Sequence, residues 1–586
     1  MTEKLALTHE RVDDIPLLLG LERRLGLPGL LDRCLGNHGL HRGLSNGVLA
    51  TTWMAFIGSE ADHRKSTVQD WAERHHQTLE RLLGQPIRSV EFTDDRLGII
   101  LRRLSRTAEW EALEEELWAK TVAVYDLDLG MTGVRLDSTT AYGYHTPTED
   151  GVMQFGHSKD HRPDLPQLKL MAAAVEPSGH LLACDVWSGQ CADDPLYQPL
   201  IARVRQVLGR TGLLYTGDCK MAALATRAEI VAHGDYYLTV LPLTGQTRAE
   251  FDTWVARAVH GGDPSLGSGQ ALESVELLWD GERLLGAGYE FERQLTAEVE
   301  RQTVEWTERV QVVRSRDLAL QQAKQLTERL SKAEAALLAL TPEPGRGKRQ
   351  CHDEAALRTA IAEVEAQYRV KGLLQVTWRR EEESVTRYVG RGRGGPNRLT
   401  RTEVTVRYVV TEVLRDEAAV TAQRQRLGWR VQVTNLARAK MTLAQAVIHY
   451  RGGWSLERAF HLVKDRPLGI SPLYVRDDDQ IIGLTRLLSL VLRLLTLIEI
   501  KVRQGLAETK ETLAGLYEGQ ASRVTDRPTA TRLLKAFARA ELTLTRVGLG
   551  GQILWHITPL SVLLERILAY LDLPKSLYDS LAVNSS

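Results

Sequence analysis

Cysteine is scarce in this chain. Five residues, Cys34, Cys184, Cys191, Cys219 and Cys351, are scattered over 586 positions without a C-x-x-C pair. That spacing excludes a zinc ribbon or a disulfide framework and suits a reducing, cytoplasmic setting. An N-terminal signal is also missing, because Met1 to Asp14 is charged and carries no continuous apolar stretch. No uninterrupted apolar run reaches membrane length. The longest, Ile481 to Ile500, is broken by Arg486 and Arg493, so it reads as a buried helix rather than a membrane span. Net charge is lacking as well: 74 Lys and Arg against 75 Asp and Glu leave −1. Nucleic-acid-binding chains are often basic, but charge here is uneven. Acidic residues crowd Glu109 to Glu116, whereas Arg346 to Arg349 and Tyr388 to Arg401 are strongly basic. A neutral total therefore admits a basic groove on a body that is acidic elsewhere. There is no internal repeat. The G-R-G-R-G-G run at Gly390 to Gly395 is no P-loop, since no Lys-Ser/Thr follows it and no helix starts there; it reads as a flexible basic turn.

What is present begins with three carboxylates. Asp137 stands in V-R-L-D-S-T-T and Asp218 in L-L-Y-T-G-D-C-K, each at the end of a short apolar β-like run. Glu457 stands in Y-R-G-G-W-S-L-E-R-A-F-H-L-V-K, an amphipathic helical pattern with Leu456, Phe460 and Val463 on its apolar side. A carboxylate ending a buried strand points into the cleft where a sheet meets its loops. Two such strands and a covering helix bring three carboxylates from distant sequence to one spot. Three acidic groups held close cannot all stay ionised and unpaired, so a divalent cation is the natural occupant. Two Mg²⁺ ions so held clamp the attacking and leaving oxygens of a phosphodiester. Each residue also has a plainer reading. Asp137 could cap a turn with Ser138 and Thr139, Asp218 could cap a helix over 222–233, and Glu457 could be a solvated helix residue.

Composition, 43% hydrophobic and 25% charged, is that of a soluble globular protein, and the length points to three or four domains. Residues 1–125 read as helices, for example 15–25 and 48–57, with helical spacing of apolar residues between Gly, Pro and Asn breaks. From Gly133 the pattern turns to strands, with a helix over 195–208 before Asp218 and another over 222–233 after it. The gap from Asp218 to Glu457 is longer than a few elements require, so an insertion is expected. It reads as strands over 271–290, charged helices over 310–340 and 353–368 forming a hairpin, then strands over 372–378 and 402–413. A strand over 428–435 returns to the core, and beyond Ile470 the chain reads as helical to its end.

Taken together these blocks resemble DDE insertion-sequence transposases, and more narrowly the hairpin-forming superfamily with a Y-(2)-R-(3)-E-(6)-K signature. Tyr450, Glu457 and Lys464 fall on that spacing, while Gly453 stands where Arg is expected and Arg451 is the nearest basic residue. Some branches read Y-K-G-x-W here and are closer to this chain. G-H-S-K-D-H-R-P-D-L-P-Q-L-K, Gly156 to Lys169, is similar to their G-Y-S-K-D-H-R-P-D-L-x-Q block, and F-T-D-D-R-L-G, Phe92 to Gly98, to a segment closing their helical N-terminal domain. The resemblance covers most of the chain and is weakest from about 245 to 425.

The resemblance implies a multidomain α/β protein. Its expected parts are a helical N-terminal domain (1–125, DNA binding), a ribonuclease H-like catalytic core in two parts (126–245 and 426–475), an insertion of strands and a helical hairpin (246–425), and a helical C-terminal region (476–586). It implies a cut-and-paste transposase that works through a hairpin intermediate, with two Mg²⁺ ions, or Mn²⁺ in their place, on Asp137, Asp218 and Glu457. Its partners would be double-stranded DNA, both terminal inverted repeats and target, bound by a homodimer on paired ends in the bacterial cytoplasm and away from membranes. Tyr450 and Lys464 would grip a phosphate, Lys464 as a point charge. Arg451 is the substitute basic group. Trp454 either stacks on an extruded base or lies in the core. Lys159, His161 and Arg162, with His157, form a cationic cluster that either contacts phosphate or is an ordinary solvated loop. Two other functions share these residues: a ribonuclease H-like nuclease without strand transfer, and a captured transposase that only binds DNA.

Overall fold

The computed structural model of the chain describes residues 6–37, 42–88, 90–127, 131–260, 275–279, 283–391, 397, 399–465, 467–549 and 552–583. After a strand, β1 (Ala6–Arg11), come seven helices: α1 (Ile15–Arg24), α2 (Leu27–Leu35), α3 (Asn46–Glu60), α4 (Lys65–Arg74), α5 (His76–Leu83), α6 (Asp94–Leu104) and α7 (Thr107–Tyr125). Local chemistry sets their ends. Proline stands in the first turn of α1 and α2, Ser45 caps α3 by accepting from the Val48 N–H, and Gly84 closes α5 in the left-handed region.

A mixed sheet follows. β2 (Gly133–Tyr142), β3 (Gln167–Glu176) and β4 (Leu181–Ser188) form an antiparallel meander. α8 (Tyr197–Leu208) then crosses to β5 (Leu214–Thr216), parallel to β2, and α9 (Leu224–Ala232) crosses to β6 (Tyr236–Val240), parallel to β5. All ten residues of β3 are buried, which explains its near-continuous apolar sequence. After α10 (Gly245–His260) come β7 (Val275–Trp279), β8 (Arg283–Val299) and β9 (Gln302–Ser315). Next are α11 (Arg316–Ala339), α12 (Glu354–Tyr368), β10 (Leu374–Tyr388), β11 (Thr400–Arg415) and α13 (Glu417–Gln425). β12 (Trp429–Thr434) leads to α14 (Leu443–Arg451) and α15 (Trp454–Lys464). The sheet order is β4-β3-β2-β5-β6-β12-β9-β8-β7.

The long helix α16 (Asp478–Thr509) runs through the centre, and one apolar core extends from Val12 past it to Leu581. By length and composition α16 could cross a membrane, yet 94% of its most apolar window is buried inside the protein. The two arginines that interrupt it find partners there, although Arg486 Nε makes no hydrogen bond. Arg486 donates to Leu104 O at 2.8 Å, and Arg493 pairs with Glu114 and donates to Leu181 O at 3.2 Å.

The structure departs from the sequence expectations at several points. The C-terminal region is not helical throughout. Besides α17 (Ala530–Arg539), α18 (Val562–Tyr570) and α19 (Ser576–Asp579), it holds a hairpin of β13 (Thr543–Leu549) and β14 (Gln552–Ile557). β13 pairs with β1, so the two ends of the chain share a three-stranded sheet, with Ala6 opposite Gly548. The expected insertion is divided: β8 and β9 extend the main sheet, and the unit with its own core is α11 to α13 with the β10–β11 ribbon, packed around Leu326, Leu330, Leu357 and Val410. The helix expected from Val310 begins at Arg316, because Val310 to Arg314 pairs with β12, Ser315 lies opposite Gly286 of β8, and Ser315 then caps α11. Of the expected strand over 271–290, residues 271–274 and 280–282 lie outside the described residues, as do Gly392 to Gly395 of the glycine-arginine turn.

Candidate active site

The parallel register of β2 and β5 brings the two aspartates together. Val134 lies opposite Tyr215 and Arg135 opposite Thr216; carried on by two residues, the same register sets Asp137 beside Asp218. This is where the strand order reverses: β2 has the antiparallel β3 on one side and the parallel β5 on the other, the place where open sheets bind ligands. Asp218 follows the end of β5 as expected. Asp137 does not end its strand, since β2 continues to Tyr142 because Ser138 to Tyr142 pairs with β3. Asp218 does not cap α9 either; Ala223 occupies that position, and Asp218 accepts instead from the Lys220 N–H at 2.9 Å.

Glu457 arrives from the other side on α15. Thr442 and Gln445 form a capping box that starts α14, and the chain breaks at Gly452 and Gly453 before α15 begins. Asp137, Asp218 and Glu457 then line one cavity of about 280 Å³ with Arg135, Arg430, Tyr450 and Arg451. A second cavity, about 470 Å³, shares Asp137 and Glu457 and continues past Lys159, Asp160 and Lys464. Both Glu457 and Lys464 thus face the cleft, as their spacing of seven on a helix requires.

Each aspartate is held by defined donors. Asp137 Oδ1 accepts from the Ser138 N–H at 2.7 Å and lies 3.5 Å from Lys159 Nζ. Burial pushes its carboxyl above the ordinary range, Lys159 opposes this, and the like charge of Asp218 adds to the rise. Asp218 Oδ1 accepts from the buried Tyr197 hydroxyl at 2.7 Å. Burial and the two aspartates push that phenol well above its usual value, so it remains a donor. Tyr450 is raised to about 12 by burial and by Asp218. The donor set is all oxygen, the chemistry of a hard cation such as Mg²⁺. Among the described residues, no group of three or more His, Cys, Asp and Glu converges tightly enough to share one ion.

Several residues expected to meet phosphate are otherwise engaged. Lys464 pairs with Asp160 across the cleft. Lys159 folds back on β2, donating to Ser138 O at 2.6 Å and Ser138 Oγ at 2.7 Å, and so supplies the positive charge beside Asp137. Arg162 pairs with Asp164 at 2.8 Å. His161 is exposed at positive φ in the same loop. Arg451 lines the carboxylate cavity but donates to Ser315 Oγ at 2.8 Å. The side chain of Trp454 lies outside the described residues.

Three neighbours escape the sequence reading. Tyr197 has no motif around it. Arg430 leaves β12 exposed at the cavity, without a hydrogen bond or ion pair among the described residues. Arg135 is two residues from Asp137 on one face of β2, a spacing that could have revealed it. It donates to Glu176 Oε1 at 2.5 Å and His449 O at 2.8 Å, and its guanidinium lies 5.9 Å from the centre of the Tyr450 ring. A Cβ at Gly453 would stand 3.1 Å from Arg135 Nη1. An arginine from the strand therefore fills the room where the helix has glycine.

No protein-family model matches the chain, and no curated protein matches it. Among solved structures, a piggyBac transposase synaptic complex with hairpin DNA aligns over 98% of this chain and 86% of its own, at 8% identity and a TM-score of 0.33.

Proposed function

We propose that the chain is a DNA transposase of the cut-and-paste type with a ribonuclease H-like core, in which Asp137, Asp218 and Glu457 hold two Mg²⁺ ions. One observation carries this reading: three carboxylates from β2, the loop after β5 and α15, spanning 320 residues of sequence, line one cavity with Tyr450 and three arginines. The strand order β4-β3-β2-β5-β6, with Asp137 on β2, Asp218 just past the parallel β5 and the glutamate on a covering helix, supports it. Bound there, divalent cations, Mn²⁺ as well as Mg²⁺, supply charge for the attacking and leaving oxygens of a phosphodiester.

The chain's own groups align the reaction. The Ser138 N–H, the Tyr197 hydroxyl and the Lys220 N–H orient the aspartates, while Arg430 meets the phosphate beside the cavity. Hydrolysis frees a 3′-OH at each transposon end, attack of that hydroxyl on the opposite strand gives a hairpin, and the reopened end joins target DNA. Two ends must be handled together, so the working unit is a homodimer on paired ends.

The test is strand nicking with Mg²⁺ by Asp137→Asn, Asp218→Asn and Glu457→Gln, with Mn²⁺ binding by calorimetry as a readout independent of turnover. Each variant should lose at least about a hundredfold in nicking and lose Mn²⁺ binding while keeping its DNA affinity. Near wild-type nicking by one variant removes that residue from the site. Nicking without joined products from a supplied 3′-OH end reduces the protein to a nuclease.

A further inference from the structure

The ribbon of β10 and β11 leaves the body of the protein. At its base Val376, Trp378, Tyr408 and Val410 pack with the core under α11 and α12. From Glu382 to Tyr388 and from Thr400 to Thr405, every residue is exposed on both faces. That overhang is roughly 20 Å long at the rise of an extended chain. Pairing continues unbroken from Trp378–Val410 to Tyr388–Thr400, although a two-stranded ribbon with two wet faces is marginal on its own. Its end also exposes Tyr388, Val389 and Leu399, the last by 79%.

Charge changes along the ribbon. Toward the base both signs are present: Arg379 and Arg407 pair with Glu381 and Arg380 pairs with Glu382, beside Glu383 and Glu403. Between Ser384 and Thr402 the sequence holds five arginines and no Asp or Glu. Of these, Arg387, Arg391 and Arg401 are described, and all three are exposed, Arg387 only 3.8 Å from Glu403.

Resting on the function proposed above, we infer that this ribbon is a DNA arm that enters the major groove of duplex DNA and grips the flanking phosphates. A major groove about 12 Å wide admits a two-stranded ribbon, and the planar guanidinium suits phosphate oxygens. The tip of a second copy is a poor partner, since two identical arginine-rich ends repel.

The experiment uses the full-length protein, a labelled mixed-sequence DNA duplex and a chelator, with affinity read by anisotropy over a salt series. The triple variant Arg387→Ala/Arg391→Ala/Arg401→Ala should melt as the wild type does and bind the duplex at least tenfold more weakly at low salt. Its salt slope should be shallower by about two to three, because each phosphate no longer neutralised by an arginine subtracts about 0.9. Replacing the same three by Lys should restore the slope. Unchanged affinity and slope overturn the arm. So does loss of self-association with DNA binding intact, which makes the ribbon an interface between copies, or a wild-type preference for phosphatidylserine vesicles over duplex. Asp137→Asn should bind with the wild-type slope. A normal ribbon variant beside a dead Asp137→Asn therefore sinks the arm alone, whereas an active Asp137→Asn beside a weakened ribbon variant sinks the catalytic reading alone.

Discussion

Arg135 and Arg430 both present guanidinium groups to the carboxylate cavity, and their surroundings assign them opposite tasks. Arg135 is 7% exposed and lies against Glu176, which is itself 3% exposed. Burial alone would raise the Glu176 carboxyl, but His449 and Arg135 outweigh it and hold the group below its usual range. Removing the arginine leaves the buried Glu176 with His449 as its one remaining charged partner, so Arg135→Ala should destabilise the fold by up to about 3 kcal/mol in urea unfolding, and adding Glu176→Gln should recover part of that. Full stability in the single variant would show that the pair is not needed. Arg430 is exposed and, beyond its electrostatic influence on Tyr450, its side chain makes no hydrogen bond or ion pair among the described residues. Arg430→Ala should leave stability within about 0.5 kcal/mol and flatten the salt slope of DNA binding by about one; an unchanged slope removes it from the DNA path. Asp137, Asp218 and Glu457 are legible in the sequence because each sits in a local pattern. Tyr197 is not, because its role depends on a crossover helix whose packing no spacing in the sequence encodes.

At the scale of elements, legibility follows the length of the periodic signal. The apolar period of α16 identifies a buried helix directly, and the capped ends of α3, α12 and α13 lie at Ser45, Asp353 and Asp416, residue types that favour that position. Short apolar runs are ambiguous between helix and strand, and V-Q-V-V-R-S at the end of β9 reads as helix although it pairs as strand. β13 is hidden for another reason: of its two pairing partners only β14 is local, and β1 lies more than 500 residues away. Besides the common apolar core, charge joins distant elements. Glu114 of α7 is buried and pairs with Arg203 of α8 and Arg493 of α16. Burial raises its carboxyl, and the two arginines pull against that. Glu114→Ala leaves both guanidiniums in the core without their shared partner and should cost about 3–5 kcal/mol in denaturant midpoint measurements. A cost below about 0.5 kcal/mol, the level of an ordinary surface change, would show that their other partners satisfy them, Glu111 and Asp185 for Arg203 and the Leu181 and Leu182 carbonyls for Arg493.

For the whole molecule, the beginning and the end of the chain meet at α1 and α19, where the Tyr578 hydroxyl donates to Asp13 O at 2.8 Å. Beside this seam Asp14 is 2% exposed and accepts from Ser59 Oγ at 2.6 Å. Burial lifts its carboxyl from 3.8 to about 7; Ser59 opposes the rise, and the charges of Asp13 and Glu60 add to it. Folded Asp14 thus keeps its proton up to about pH 7, whereas the unfolded chain releases it near 3.8. Folding takes up a proton between these values, so stability is greatest at the acid end and falls as pH rises across that window. A shift of this size corresponds to about 4 kcal/mol, lost by the time Asp14 has ionised in the folded state. Glu22, also buried, with both carboxyl oxygens unpartnered and its carboxyl raised well above normal by burial, acts in the same direction. Asp14→Asn removes the proton uptake while keeping the volume and the Ser59 contact. Its melting temperature should vary less than that of the wild type between about pH 5 and pH 8, exceed it at the alkaline end, and retain the slope due to the other shifted groups, Glu22 and the buried His180 among them. Parallel curves for the two proteins would show that Asp14 is ionised in the fold throughout, and that the seam does not feel pH through this residue.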